Sequence, residues 1–348
     1  MEKVKIGLAL GSGSARGWSH IGIIRALVEH GIKPTIVAGA SVGTLVGAAY
    51  ASGQLETLEA WVRQLTRMDV WRLLDTTFRG GGVMTGNRLM RAIGEQIEDL
   101  HIETLPIAFA AVASDLNTGQ EVWLREGPML SAARASSGMP GLFSPMWYRD
   151  RWLIDGGVVN PVPVSVCRAL GADYVIAVNL NRHLGRHSAM KRKPPAQRQE
   201  EVAAPADQHD ELQGWPGMEK LSGLVDGLVE FLTPNKNGEP RLFDVMAASI
   251  DIMQDRITRS RMAGDPPDLV LTPDLGQFQL MDFHRAGEAI AIGRGEVARL
   301  ASELQQLKER WESPTTKQQR PTPQATSPAM GAGGEGAGLT LFRKHHLL

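Results

Sequence analysis

One cysteine in 348 residues excludes an internal disulfide and most thiolate metal sites. That residue, Cys167, stands between Val166 and Arg168 in an expected helix, where it reads as a buried structural thiol rather than a nucleophile. A formal net charge of −1 argues against a dedicated nucleic-acid binder, because neutralising phosphates takes a basic surplus. Only about six apolar or small residues precede the first glycine turn, too few for the core of a signal peptide. The expected compartment is therefore the cytoplasm. Long uncharged runs are scarce as well. Pro34 to Leu55 carries no charge and, at about twenty residues, matches a bilayer span in length, but its glycines and serines make a buried strand and helix the better reading. No internal repeat is visible.

What the chain has in plenty is glycine, 38 residues of it, and their placement carries the information. The run Thr35-Ile36-Val37-Ala38 leads into Gly39-Ala40-Ser41-Val42-Gly43 and then into Leu45-Val46-Gly47-Ala48-Ala49. Strand, tight turn with a lone serine, and helix in that order form a nucleophile elbow, with GxSxG as its signature. Gly39 and Gly43 flank Ser41 because side chains there would collide across the strand–helix angle. Ser41 is thereby placed at a sheet end, over the positive end of a helix.

A second glycine cluster, Gly11-Ser12-Gly13-Ser14-Ala15-Arg16-Gly17, follows a short expected strand from Lys5 to Leu10 and precedes a helix from about Trp18 to His30, with Gly31 as its C-cap. It admits two readings. A dinucleotide cradle fits poorly, since the spacing is GxGxxxG and the second strand ends in the Ser41 elbow rather than an acidic residue. No Gly-Lys-Ser/Thr follows, so a Walker A loop fails too. The other reading is an oxyanion hole, in which small residues let backbone N–H groups reach a tetrahedral intermediate, each donor contributing roughly 2.7–4 kcal/mol. Asp155-Gly156-Gly157 is a common turn on its own, yet it follows a strand, Trp152 to Ile154, and precedes the rigid Asn160-Pro161-Val162-Pro163, which puts Asp155 at a sheet end.

Strands that run into helices over short connections predict a parallel α/β layout. Further expected helices cover Glu56 to Leu74, Met84 to Asp99, Met129 to Ser136, Val164 to Leu170, Glu219 to Phe231, Arg241 to Met262 and Phe283 to Trp311. Expected strands cover Ile107 to Ala113, Asp173 to Leu180 and Asp268 to Thr272, with Glu121 to Leu124 closing a hairpin over Leu116-Asn117-Thr118-Gly119. Gly138 to Pro145 reads as loop. Residues 181–218 and 313–348 are poor in large apolar residues and are expected to be a disordered insert and a disordered tail. A single domain over residues 1–312 remains, with its motifs in residues 5–180.

The three motifs, in this order and at this separation, resemble the patatin-like phospholipase family. The likeness is nearest to its short bacterial members of the RssA type, in Gly17-Trp18-Ser19-His20-Ile21-Gly22 and in Arg261-Met262-Ala263-Gly264-Asp265-Pro266-Pro267-Asp268. The resemblance implies a three-layer α/β/α fold with a mainly parallel sheet, and cofactor-free hydrolysis of the acyl esters of lipids by a Ser-Asp dyad. It implies Ser41 as nucleophile, Asp155 as base at the head of its Gly156-Gly157 turn, and an oxyanion hole in the loop Gly11, Ser12, Gly13, Ser14, Arg16 and Gly17, which Arg16 orders. Many members have consecutive glycines where this chain has Ser12 and Ser14. The implied partner is a lipid or acyl-ester substrate, with peripheral contact to the inner face of a membrane as a further expectation.

The dyad also makes chemical sense unaided. A serine hydroxyl needs a base to take its proton, and a carboxylate serves when burial raises its pKa. His20, His30, His101 and His284 each read as a satisfied helix or surface residue, and none follows an aspartate at a strand end as a triad would require. Leu142-Phe143 and the apolar side of the 219–231 helix border an acyl-chain groove or simply pack the core. Acyl transfer through the same serine ester, or a regulatory protein that keeps the fold, are the rival functions.

Overall fold

The computed structural model describes residues 4–75, 82–181 and 242–312. The first strand, β1 (Ile6–Leu10), divides its side chains between two cores, as do β2 (Ile36–Ala40) and β9 (Tyr174–Val178). Leu8, Leu10 and Val37 enter one core with Ala111, Ala113 and Ile176, while Ala9, Ile36 and Ala38 enter the other with Ala110, Val112 and Ala177. Strands apolar on both faces belong inside a sheet covered by helices on both sides. Here α1 (Ser19–Glu29), α2 (Val42–Ala51), α6 (Met129–Ser136) and α9 (Ala286–Arg299) supply one cover, and α7 (Val164–Ala169) supplies the other through Val164, Val166 and Cys167. Burial pushes the Cys167 thiol up to about 12, so it is inert at neutral pH.

The sheet runs β10-β9-β1-β2-β4-β8-β7, where β4 is Ala108–Asp115, β7 is Met146–Tyr148, β8 is Arg151–Asp155 and β10 is Leu269–Leu271. From β10 to β4 the neighbours are parallel; β8 and β5 (Glu121–Leu124) are antiparallel to β4, the latter through the expected hairpin. The expected three-layer α/β fold is therefore present.

How β8 meets β2 decides where the site lies. On β4, Ala111 and Val112 pair with Gly39 and Ala40 of β2 and, across the other edge, with Leu124 and Trp123 of β5. Ala113 and Ser114 pair with β5 too, and also with Asp155 and Ile154 of β8, so β8 occupies the edge that β2 uses. It arrives from the opposite direction. β2 ends at Ala40 opposite Val112, β8 ends at Asp155 opposite Ala113, and the two strand ends face each other across one step of β4.

Several elements differ from expectation. The single helix expected from Glu56 to Leu74 is two, α3 (Leu55–Val62) and α4 (Arg67–Leu73), because Thr66 and Asp69 form a reciprocal capping box that restarts the helix. Only Asn87–Gly94, α5, of the Met84–Asp99 stretch is α-helical; the Asp75 carboxylate accepts from the N–H groups of Gly86, Asn87 and Arg88 and fixes its start. The expected Gly138–Pro145 loop contains β6 (Gly141–Phe143), which pairs in parallel with β3 (Gly82–Met84). The closing helix breaks at Leu300 into α9 and α10 (Ala301–Glu312). Ser14–Trp18 forms a 3-10 turn ahead of α1. The long helix α8 (Leu242–Gly264) is close to expectation. Of the expected insert only Asn181 is described; the 219–231 helix and the tail from residue 313 lie outside the described residues. Among the described residues no helix is long and apolar enough to cross a membrane.

Candidate active site

Ser41 occupies the turn between β2 and α2 with φ 55° and ψ −128°, a conformation that an L-residue holds only when its surroundings impose it. The surroundings do so through Ser136 at the end of α6. The Ser41 N–H donates to Ser136 Oγ at 2.9 Å, and Ser136 Oγ donates to the Val112 carbonyl at 2.6 Å. With its one proton so used, Ser136 accepts from Thr44 Oγ1 at 2.7 Å. The turn is thus tied to the middle of β4. A Cβ on Gly39 would lie 2.5 Å from the Gly43 carbonyl oxygen, which confirms the steric demand for the flanking glycines.

The Ser41 hydroxyl donates to Asp155 Oδ2 at 2.7 Å, and the Gly157 N–H donates to Oδ1 at 2.7 Å. Asp155 is 2% exposed, and burial pushes its carboxyl up to about 6 against the pull of these two donors. Its backbone is clamped as well: the N–H donates to Gly138 and the carbonyl accepts from Ser114 Oγ. Both glycines of the turn are needed for close approach. A Cβ on Gly156 would strike the Val112 carbonyl, and one on Gly157 would lie 2.9 Å from Asp155 Oδ1 and 3.0 Å from Ser12 Cβ.

The glycine loop lies against this pair, with Ser14 and Ser41 in the wall of one cavity and Gly17 against the Val42 side chain. The N–H groups of Gly11 and Ser12 donate to Val178 and Pro161, and those of Ala15 and Arg16 to Leu280 and Gly13. Among the described residues neither the Gly13 nor the Ser14 N–H has an acceptor. Arg16, 2% exposed, donates from Nε to the Gly13 carbonyl at 3.0 Å and pairs through Nη2 with Asp251 of α8 at 3.0 Å. One helical turn along, Gln254 Oε1 accepts from Ser12 Oγ and from Asn181 Nδ2, both at 2.8 Å. α8 therefore braces the loop from outside the motif-bearing core.

The cavity is an apolar space between α2, α4, α5 and the β6 loop. Leu45, Val70, Leu73, Met90 and Phe143 are in its wall, so Leu142 and Phe143 border it as one of the two sequence readings had it. Arg134, 6% exposed, is in the wall too: it donates to the carbonyls of Thr85 and Ser144 and leaves Nη1 buried without a partner among the described residues. No histidine among the described residues touches Ser41 or Asp155. His20 is fully buried, and desolvation lowers it to about 4, so it is neutral at pH 7; facing a carbonyl, its Nε2 carries the proton and donates to Gly11 at 2.8 Å. His30 donates to Ala26, His101 faces Glu103, and His284 accepts from Arg67.

Sequence reasoning brought Ser41, Asp155 and the glycine loop to one place, and the structure joins them. It missed Ser136, Thr44, Arg134, Asp251 and Gln254. Each acts across 92 or more positions of chain, or, for Arg134, as a lone cation in an apolar helix, and no local pattern marks them.

A serine at a strained strand–helix turn, facing a buried aspartate beside an apolar cavity, has the parts of an ester hydrolase for lipids. The model of the patatin-like phospholipase family matches residues 8–168. An uncharacterised NTE family protein of Mycobacterium tuberculosis is 33% identical over 324 residues, covering 83% of this chain and 89% of its own. A lysophospholipase of Mycosarcoma maydis is 35% identical over 51% of this chain and 10% of its own. The human patatin-like phospholipase domain-containing protein 6 is 32% identical over 50% of this chain and 13% of its own. The chain belongs to the patatin-like phospholipase family and is a lipid ester hydrolase.

Proposed function

We propose that the protein cleaves acyl esters of phospholipids or lysophospholipids through an acyl-serine intermediate, in the cytoplasm and at its membrane face. Ser41 is the nucleophile and Asp155 the sole general base. The observation that carries this reading is the 2.7 Å bond from Ser41 Oγ to a buried Asp155, with Ser41 in the wall of an apolar cavity.

Ionised Asp155 takes the Ser41 proton as Oγ attacks the ester carbonyl carbon. The negative charge that forms on the carbonyl oxygen is met by the Gly13 and Ser14 N–H groups, which have no acceptor among the described residues, while Gly11, Ser12, Arg16 and Gly17 hold the loop in shape. When the C–O bond to the alcohol breaks, protonated Asp155 returns its proton to the leaving oxygen. Water then attacks acyl-Ser41 and gives its proton to Asp155, which passes it back to Oγ as the fatty acid leaves. The role of Asp155 in both halves needs a carboxylate whose basicity is raised, and burial supplies that.

The test is labelling by a fluorophosphonate followed by peptide mapping, together with product analysis on a panel of phospholipids and lysophospholipids. Label on Ser41 and release of free fatty acid are expected; label elsewhere overturns the assignment. The acid limb of kcat/KM provides a second check. Activity needs ionised Asp155, so kcat/KM on a soluble ester rises with pH up to about 6 and is level above it; a limb that stays below pH 5, where an unburied aspartate titrates, contradicts the assignment. Gln at His20, His30, His101 or His284, one at a time, is expected to leave turnover of the folded protein within about tenfold, since none has a proton to move. A single histidine variant as inactive as one lacking Ser41 would restore a triad.

A further inference from the structure

The roof of the acyl cavity has two sides, and the outer one is chemically distinct. α4 turns Val70 and Leu73 to the cavity. At 100° per residue Arg67, Met68, Trp71 and Arg72 share the opposite arc. Met68 is 59% exposed and Trp71 41% exposed. α5 repeats the division, with Leu89 and Met90 in the cavity wall and Arg88 and Arg91 exposed. Of the acids flanking these helices, Asp69 and Asp75 are engaged within them, and Glu95, the exposed C-cap of α5 beside Arg88 and Arg91, leaves the arginines in excess. Asp69 closes the Thr66 capping box and lies 3.6 Å from Arg72, and Asp75 accepts from Thr85 and the first N–H groups of α5. Of the arginines, Arg67 donates to a neutral group, His284. A tryptophan and a methionine set among four arginines, directly over an apolar cavity, remain.

We propose that this face of α4 and α5 is the surface by which the protein docks on an anionic phospholipid bilayer. Trp71 and Met68 enter the boundary between headgroups and acyl chains, where amphipathic rings are favoured. Arg67, Arg72, Arg88 and Arg91 lie against lipid phosphates, each such charge adding about 1 kcal/mol. Docking here places the bilayer on the far side of a one-helix roof from Ser41, so an acyl chain reaches the cavity with little exposure to water. The proposal rests on the reading of Ser41 as a lipid esterase. A second aromatic pair, Trp147 and Trp152 with ring centroids 5.2 Å apart, is exposed on β7 and β8, but neither ring borders the cavity.

The experiment is sedimentation of the full chain, carrying Ser41→Ala so that lipid is not consumed, with vesicles of phosphatidylcholine alone or mixed with phosphatidylglycerol. Partition onto the mixed vesicles is expected, with little onto phosphatidylcholine alone. Arg72→Gln, Arg88→Gln and Arg91→Gln together should weaken it on the order of 100-fold, about fivefold per arginine. Trp71→Ala should weaken it further. With Ser41 present, the same substitutions should leave turnover of a soluble short-chain ester and the melting curve unchanged, while turnover of vesicle lipid falls with partition. Equal partition of the triple variant and its parent overturns the surface, as does loss of partition in Trp147→Ala/Trp152→Ala instead. A wild-type protein that partitions but cleaves no ester overturns the esterase reading alone.

Discussion

Ser41→Ala is expected to lower kcat by a factor on the order of 10⁶, to the level that binding and loop donors leave behind, and to abolish fluorophosphonate labelling. The substitution removes one hydroxyl and keeps the backbone that Ser136 holds, so circular dichroism and the melting curve should stay close to those of the parent. Initial rates on a soluble ester and a lysophospholipid measure the effect. Turnover within tenfold of the parent, in a folded variant, would remove Ser41 from the chemistry.

Asp155→Asn should separate activity from stability. The amide keeps the shape but accepts no proton, so kcat is expected to fall by a factor on the order of 10² to 10⁴. Stability should move the other way. In the unfolded chain the carboxyl titrates near its ordinary 3.8 and in the folded one at about 6. The folded state holds the proton more tightly, so stability is lost as pH rises between those values, on the order of 3 kcal/mol in all. Asparagine carries no such cost, and the variant should melt several degrees higher at pH 7. His20 slopes oppositely: lowered from 6.5 to about 4, it costs stability as pH falls through that window. The two offset each other in the parent, so Asp155→Asn should also show a steeper loss of stability on acidification. Denaturant midpoints at several pH values test this. An equal or lower melting temperature at pH 7 would mean that Asp155 is not held at a cost.

The parts of this site that were legible in the sequence are those whose cause is local. The Ser41 turn needs glycines two residues either side and a strand and helix in contact with it, and all of that is written within fifteen residues. The Asp155 turn was legible for the same reason, although nothing near it says that β8 runs antiparallel or that it shares an edge of β4 with β2. That arrangement arises from pairing between distant segments. β6 and β7 are three residues each, too short for any periodicity, and were not visible. The break at Thr66 had a local signal, Thr-x-x-Asp, but it interrupts an apolar pattern that continues on both sides. The bracing by Asp251 and Gln254 depends on where a helix lands after the core is complete, which only the packed protein reveals.

The end-to-end meeting of β2 and β8 makes β4 the measuring rod of the site. Ser41 and Asp155 are spaced by the single peptide step from Val112 to Ala113, not by the 114 positions of chain between them. Loops along that intervening stretch are thus free to lengthen or shorten without altering this spacing. One residue added between Val112 and Ala113 is another matter: it would draw the two strand ends about 3.3 Å apart and turn one of them to the opposite side of the sheet. In this architecture, drift in length is tolerated in the connecting loops but not within one strand that contributes neither Ser41 nor Asp155.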